Sequence, residues 1–190
     1  PNYVITYDLV KQDIIASKRL RKNSQYHSLK ISSNGKLIVF VEEEQGDDND
    51  EETKVRLCDR SLDECRTVEL DDMKRVTALE YSPVHDLLAL GTQSGDCLVL
   101  NTRNQRWRKG PKVYDSPIRA ISFNSSGSSI AIVASDDKLA TFLVQDGEMK
   151  NPVTWQGRYN GVNSICFVPN RPLLATGGNE QVIRLWDIHK

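Results

Sequence analysis

From Val162 to Lys190 the chain reads VNSICFVPNRPLLATGGNEQVIRLWDIHK. The segment starts with alternating apolar and polar residues, passes a Pro-Asn turn and continues as the nearly continuous apolar run LLATG. A second turn leads into VIRLWD. Alternation with a period of two is typical of half-buried strands, and Gly, Pro and Asn mark the turns between them. The segment therefore predicts three consecutive antiparallel strands.

The same unit recurs three times earlier in the chain. Its first strand begins at Tyr26, Val76, Ile118 and Val162, so the steps are 50, 42 and 44 residues. The long first step contains an acidic insertion, which leaves an underlying period in the low forties. Weaker fourth strands are expected near 65–70, 106–114 and 148–155. Four strands per unit at this period are typical of β-propeller blades, and no segment predicts a helix of useful length.

The last unit resembles a WD repeat. It has an FSP-like turn at Phe167-Val168-Pro169, a small-residue second strand and the pair Trp186-Asp187. The other Trp-Asp positions are assigned to Tyr7-Asp8, Cys58-Asp59, Leu100-Asn101 and Leu143-Val144. In WD repeats a Gly-His pair, a second-strand Ser or Thr, a turn Asp and the Trp form a hydrogen-bonded tetrad. Asp137 occupies the turn position of one unit, but no unit has the Gly-His pair, so the tetrad is incomplete.

The resemblance implies an all-β fold of four-stranded antiparallel blades, part of a larger propeller. Propellers close with about four to eight blades, and this family most often uses seven. The chain is expected to enter in mid-blade and to hold about four and a half blades, at 1–21, 26–70, 76–114, 118–155 and 162–190. The remaining blades are expected from the parent chain or a partner, because closure removes exposed sheet edges. The residues predicted to be buried in second strands are Leu87, Leu88, Ala89, Ile130, Ile132, Leu173, Leu174 and Ala175.

Composition and charge exclude several classes of function. Lys and Arg total 25 against 26 Asp and Glu, so no chain-wide field recruits nucleic acid or anionic lipid. No apolar run is long enough for a membrane-spanning helix, and no membrane partner is expected. The four cysteines lack a CxxC pair and lie in apolar, strand-like segments. This favours buried reduced thiols, and hence an intracellular protein, cytoplasmic or nuclear.

The sequence carries no catalytic, metal or cofactor signature. His27, His85 and His189 occupy different settings without HExxH or GxSxG around them, and neither GxGxxG nor GK[ST] occurs. No enzymatic activity, no cofactor and no metal are therefore expected. A structural role in the repeat is assigned to Trp186, Asp187, Asp59, Asp8 and Asp137, and Trp186 is expected to be a buried packing residue.

Residues 42–52 hold eight acidic side chains in eleven positions and predict a mobile loop. They are Glu42, Glu43, Glu44, Asp47, Asp48, Asp50, Glu51 and Glu52. The resemblance to propellers implies that this loop lies on the top face, where binding loops gather. Three roles stay open: a solubilising insertion, a docking site for a basic protein, and a divalent-ion site, although the EF-hand spacing is not met. Deleting residues 43–50 is expected to spare the fold.

Two basic patches are further candidates for partner binding. The first consists of Lys18, Arg19, Arg21 and Lys22, and the second of Arg106, Trp107 and Arg108 with flanking basic residues. Arg beside Trp can stack on a base or hold a phosphate. An outer-strand position instead favours a Trp that covers the blade edge while the arginines stay solvated.

Two functions compete. The leading one is a non-catalytic protein-protein interaction scaffold, a subunit of a larger intracellular complex. The alternative is an RNA-associated propeller subunit of a ribosome-assembly or RNA-processing particle. Salt dependence of binding would separate them, because phosphate contacts give affinities that fall steeply with salt.

Overall fold

The computed structural model describes residues 3–19, 24–45, 51–68, 75–155 and 161–188. Every regular element in this part of the chain is a β-strand, which confirms the all-β prediction. With no helix among the described residues, none could cross a membrane. The chain divides into two units, Pro1–Arg75 and Val76–Lys190.

The first unit contains a two-stranded and a four-stranded antiparallel sheet. The two-stranded sheet pairs β1 (Tyr3–Asp8) with β2 (Asp13–Arg19). The four-stranded sheet has the order β3-β4-β5-β6, with β3 (Ser24–Ile31), β4 (Leu37–Gln45), β5 (Glu51–Asp59) and β6 (Cys65–Val68). The two sheets pack together through Val4 of β1 and Ile38 and Phe40 of β4, with Ala16 of β2 beside them.

The second unit contains three sheets in which strands adjacent in sequence are paired, as in propeller blades. The first has β7 (Val76–Tyr81), β8 (Leu87–Thr92), β9 (Cys97–Asn101) and β10 (Arg106–Lys109). The second has β11 (Ile118–Phe123), β12 (Ser129–Ala134), β13 (Leu139–Gln145) and β14 (Glu148–Trp155). The third has β15 (Val162–Phe167), β16 (Leu173–Gly178) and β17 (Ile183–Asp187).

Each sheet of the second unit packs face to face on the next. Ala89 and Val99 of the first sheet share a buried cluster with Ile121 and Phe123 of the second. Ala131 and Val133 of the second sheet then contact Ile165, Phe167 and Leu174 of the third in a separate cluster. Burial of apolar area between the sheets is the main source of stability in such a stack.

Strand register repeats from sheet to sheet and corrects one assignment made from the sequence. Trp186 pairs with Leu174, Leu100 with Leu88 and Cys58 with Ile38. In the sheet of β11–β14, the equivalent partner of Ile130 is Phe142. The Trp-Asp position there is therefore Phe142-Leu143, one residue before the predicted Leu143-Val144. The error arose because motif matching without a Trp has no anchor, whereas backbone pairing defines the position.

Six of the eight second-strand residues predicted to be buried are buried, and Leu173 and Ala175 are only half-buried. Because successive residues point to opposite faces, these two lie on the face of the β15–β17 sheet opposite Leu174. Leu185 pairs with Ala175 and lies on the same face, where 63% of it is exposed. No further sheet covers that face among the described residues.

The prediction of reduced thiols is wrong for two of the four cysteines. Cys58 and Cys65 lie opposite each other in the β5–β6 pair, with a Cα–Cα distance of 4.0 Å, and form a disulfide. The pairing was missed because the segment between the two cysteines, which are seven positions apart in sequence, was not treated as a hairpin. Cys97 is free and buried, whereas Cys166 is free but exposed, so the predicted burial is wrong for Cys166. Cysteine usage therefore no longer supports a reducing compartment.

Candidate functional site

The predicted mobility of the acidic run is wrong for its first part. Glu42, Glu43 and Glu44 lie in β4, where they pair with Lys54, Thr53 and Glu52 of β5. Glu51 and Glu52 belong to β5, and Asp47, Asp48 and Asp50 lie outside the described residues. The β4–β5 hairpin extends into the run because Lys54 and Arg56 of β5 offset the repulsion between the carboxylates. Contacts from Tyr26 and His27 of β3 add to this. Deletion of residues 43–50 would remove part of β4, so it is no longer expected to spare the fold.

Glu42 is a buried carboxylate with two strong partners. Its side chain is on the same face of β4 as Ile38 and Phe40, because alternate residues of a strand share a face. Only 2% of the residue is exposed. Its Oε1 accepts a hydrogen bond of 2.6 Å from the Tyr26 hydroxyl, and its Oε2 accepts one of 2.6 Å from Arg56 Nε. Arg56 also donates to Thr67 Oγ1, so the guanidinium is held from two sides.

The opposite face of β4 carries a second ionic cluster. Arg75 Nε donates to Glu43 Oε1 over 2.8 Å, and His27 Nε2 lies 3.0 Å from the same oxygen. The other ring nitrogen of His27 lies 3.0 Å from Ser28 Oγ. On the Glu42 face of β4, Lys54 Nζ donates to Glu44 over 2.7 Å. Glu42, Glu43 and Glu44 therefore each have a basic partner within the first unit.

We expect the Glu42 carboxylate to make stability dependent on acid pH. Burial opposes its ionisation, but hydrogen bonds from Tyr26 and Arg56, with the Arg56 charge, outweigh burial and hold the pKa below its ordinary 4.5. Such a group stabilises the fold fully above its unfolded pKa, and the stabilisation is lost as pH falls through the folded pKa. Urea unfolding between about pH 7 and about pH 3 should therefore show a steeper acid loss for wild type than for Glu42→Gln. Parallel curves would contradict this assignment.

A cavity of about 330 Å³ opens beside Glu42 in the first unit. Lys18 and Arg19 of β2 line one side, and the other side includes Tyr26, Phe40 and Arg56. The structure thus brings two predicted basic residues to the first residue of the acidic run. Arg21 and Lys22, the other members of that basic patch, lie outside the described residues.

The second basic patch is largely neutralised within the second unit. Arg108 of β10 pairs with Glu148 of the neighbouring sheet, and Lys109 Nζ lies 3.0 Å from Asp96. Burial raises the pKa of Asp96, but hydrogen bonds from Lys109, Ser94 and Lys112 bring it below the ordinary value. Trp107 is half-buried and Arg106 is exposed. Partner binding by Arg106, Trp107 and Arg108 stays a prediction, with less free positive charge than the sequence suggested.

The acidic or amide residue that ends a third strand caps the following turn. Asp8 Oδ1 accepts hydrogen bonds from the backbone N–H groups of Val10 and Lys11, at 2.9 and 3.0 Å. Asp59 binds the Glu64 N–H at 3.1 Å, and Asn101 binds the Arg103 N–H at 3.0 Å. The Lys11 N–H, followed by that of Val10, holds the pKa of Asp8 below its ordinary value. These contacts support the structural role assigned to Asp8 and Asp59.

Asp137 connects two neighbouring sheets. Its Oδ1 and Oδ2 each accept a hydrogen bond from the Gly161 N–H at 3.0 Å, and Oδ1 accepts one from Val162 at 3.1 Å. The turn of β12 and β13 is thereby bonded to the start of β15.

In the last unit, Trp186 and Thr176 keep two members of the tetrad. Trp186 Nε1 donates to Thr176 Oγ1 over 3.0 Å, and its ring packs against the cluster containing Phe167 and Leu174. Trp186 is half-buried, so the expectation of full burial was too strong. Asp187 ends β17 opposite Leu173.

Two substitutions separate the contributions of Trp186. Trp186→Phe keeps most of the ring but leaves the buried Thr176 hydroxyl without this donor, so we expect a loss of about 1 kcal/mol. Trp186→Ala also removes the ring that packs against Phe167 and Leu174, and it should cost about 3 kcal/mol of stability. Thermal unfolding followed by circular dichroism would measure both. Equal costs for the two variants would exclude ring packing as the larger contribution.

Other reactive groups give little support for catalysis. Burial raises the pKa of the Cys97 thiol to about 12, so it stays protonated at neutral pH. Among the described residues, no group of three or more His, Cys, Asp or Glu could hold a metal ion. A second cavity of about 440 Å³ in the second unit is lined by turn residues including His85, Asp86, Arg103 and Asp146. Arg103 and Asp86 form an ion pair there.

The residues of this candidate site that the sequence did not indicate are Tyr26, Arg56 and Arg75. A signal for Arg56 was present, because Lys54 and Arg56 alternate on β5 just as Glu42 and Glu44 alternate on β4. Opposite charges on paired strands favour a hairpin over a loop. No local signal marks Arg75, which is 32 residues from Glu43.

Comparison with known proteins shows where these blades belong. The family described as "Nucleolar protein 10-like, N-terminal domain", a β-propeller, matches residues 15–188. Over 113 residues the chain is 27% identical to U3 small nucleolar RNA-associated protein 21 of Saccharomyces cerevisiae, covering 58% of this chain and 12% of that protein.

Two further relatives are WD-repeat proteins by name. The chain is 26% identical over 117 residues to the WD repeat-containing protein 55 homolog of Aedes aegypti, covering 60% of this chain and 25% of that protein. It is 26% identical over 113 residues to human WD repeat-containing protein 36, covering 58% of this chain and 12% of that protein. The chain thus spans a quarter or less of the length of the relatives it matches.

Proposed function

The chain belongs to the nucleolar protein 10-like family of N-terminal β-propeller domains, and on that basis we propose that it is a non-catalytic scaffold subunit of an RNA-associated nucleolar particle. The family match over residues 15–188 carries the proposal. A relative named for its association with U3 small nucleolar RNA supports the choice of particle. The proposal joins the scaffold function with its RNA-associated alternative, because a particle subunit contacts protein and RNA together.

The architecture suits a binding role. Stacked sheets with buried interfaces form a rigid frame that presents turns and strand edges, and rigid frames favour binding because little order is lost on association. The β15–β17 sheet exposes Leu185 at 63% and Ile183 at 81% on one face. Equivalent positions in the preceding sheet, Thr141 and Leu139, face a neighbouring sheet instead. The exposed face supports contact with a further blade or a partner.

Partners and location follow from the same family membership. We infer protein partners in a larger assembly, RNA within that assembly, and a nuclear position. Cysteine usage does not contribute to this inference, because Cys58 and Cys65 are bonded.

Sedimentation tests the proposed function. The full-length protein carrying this chain would be tagged in cells, and lysates would be run on a density gradient with and without ribonuclease. We expect it to sediment far ahead of a protein of its own mass and to shift to lighter fractions after ribonuclease. Sedimentation in the same heavy fractions with and without ribonuclease would favour a protein scaffold that does not depend on RNA. Sedimentation at its own mass in both samples would refute both.

A further inference from the structure

The cavity beside Glu42 has an unbalanced charge. Lys18, Arg19 and Arg56 line it with Glu42, so three basic residues and one carboxylate surround the cavity. Both Glu42 oxygens are already occupied, one by the Tyr26 hydroxyl and the other by Arg56, each at 2.6 Å. The carboxylate therefore neutralises one cation, and a net excess of two positive charges remains at the wall. Such an excess in a partly enclosed space attracts anions more strongly than a flat surface would.

Two of the cations are held in place before any ligand arrives. Lys18 Nζ donates to the Leu62 carbonyl at 2.8 Å and lies 3.3 Å from Cys65 Sγ. An ammonium carries three N–H donors, so these two contacts do not exhaust it. Arg56 is fixed by Glu42 and Thr67. Because their rotamers are already restricted, binding an anion costs these side chains little further entropy.

The size and walls of the cavity indicate the kind of anion. Its volume of about 330 Å³ falls in the range of sites for small organic molecules, so it has space for more than a bare phosphate. Tyr26 is half-buried and contributes an aromatic wall beside the cations, backed by Phe40 at a ring-centroid distance of 5.9 Å. Cations next to an aromatic ring are the usual combination in sites that bind single-stranded nucleic acid.

We infer that this cavity binds one nucleotide unit of single-stranded RNA, with its phosphodiester at Lys18, Arg19 and Arg56 and its base or sugar beside Tyr26. The inference rests on the proposed function for the choice of RNA over other phosphates. Arg19 is the exposed residue of these three, so its side chain can contact the RNA first.

Binding of a labelled oligouridylate of about ten nucleotides to the full chain tests the inference, measured by fluorescence anisotropy at several salt concentrations. Arg19→Glu should weaken binding by about tenfold and reduce the salt slope by about 0.7, the value for one lost contact to single-stranded phosphate. Lys36→Glu is the matched control, because it makes the same charge change at an exposed turn of the same unit. The control should bind like wild type.

Three results would overturn the inference. Equal weakening by Lys36→Glu and Arg19→Glu would mean attraction to overall charge rather than to the cavity. Full competition by inorganic phosphate or by a phosphoserine peptide at the oligonucleotide's own concentration would assign the site to another phosphate source. If Arg19→Glu binds RNA as tightly as wild type does, and β4 and β5 keep wild-type hydrogen-exchange protection, RNA does not bind in the cavity. Ribonuclease-sensitive sedimentation could still hold in each case, so the two proposals fail separately.

Discussion

Replacing Arg56 by Met is expected to destabilise the first unit by about 3 to 5 kcal/mol, because it leaves the Glu42 carboxylate buried without its charged partner. The guanidinium supplies both a hydrogen bond of 2.6 Å and a positive charge at that carboxylate's Oε2. Met matches the length of the aliphatic stem, so packing changes little. Hydrogen exchange of the β4 and β5 amides should report the loss. Tryptophan fluorescence would not, since Trp107, Trp155 and Trp186 all lie in the second unit.

The double variant Glu42→Gln with Arg56→Met is the control for this prediction. Gln still accepts the Tyr26 hydrogen bond but carries no charge, so most of the lost stability should return. The cost of Arg56→Met alone should also shrink at acid pH, where Glu42 becomes protonated. A double variant as unstable as Arg56→Met would show that Arg56 acts through packing and not through charge.

Gly91→Ala should destabilise the second unit by about 1 to 3 kcal/mol through overpacking between two sheets. A Cβ placed on Gly91 would lie 2.4 Å from Cγ2 and 2.6 Å from Cβ of Ile118, the first residue of β11. Ile118 is buried and β-branched, so it has little room to move away. Urea unfolding followed by tryptophan fluorescence would measure the cost. Without this contact, Ala in a strand would be more stable than Gly by about 0.5 to 1 kcal/mol.

Gly177→Ala provides the matched control in the same chain. Gly177 has the same register position as Gly91, because each pairs with the first residue of its third strand, Ile183 and Cys97. A Cβ on Gly177 meets no heavy atom within 4 Å among the described residues. The substitution should therefore be neutral or slightly stabilising here. If a further sheet covers this face in a longer protein, the same substitution should destabilise that protein, and equal effects of both substitutions in this chain would contradict the steric argument.

Strand positions were largely predictable because the information is local. Alternation with a period of two, turn residues and a spacing in the low forties place β7, β8, β11, β12, β15 and β16 within a residue or two of the structure. The Trp-Asp position of the β11–β14 sheet was shifted by one residue, since no Trp marks it and only pairing of Phe142 with Ile130 defines it. Burial of Leu173 and Ala175 was overestimated because an apolar strand does not reveal which of its faces is covered.

The candidate site was only partly predictable because its members come from distant parts of the chain. Composition marked Lys18, Arg19 and Glu42 as candidates, and the structure places them around one cavity. The eight acidic residues in eleven were predicted to form a loop because their mutual repulsion was considered without their basic partners. The partners that offset repulsion are Tyr26, Arg56 and Arg75.

The repeat itself, its strand order and its family resemblance follow from the sequence alone, because side-chain alternation and turn chemistry act between residues close along the chain. The charge balance at Glu42 and Glu43, the Cys58–Cys65 bond and the exposed face of Leu185 arise only when the sheets assemble. Lys18 reaches the Leu62 carbonyl across 44 residues, and Arg75 reaches Glu43 across 32. Whether a charge is buried, paired or free depends on such long-range contacts, since they set both its solvation and its nearest opposite charge.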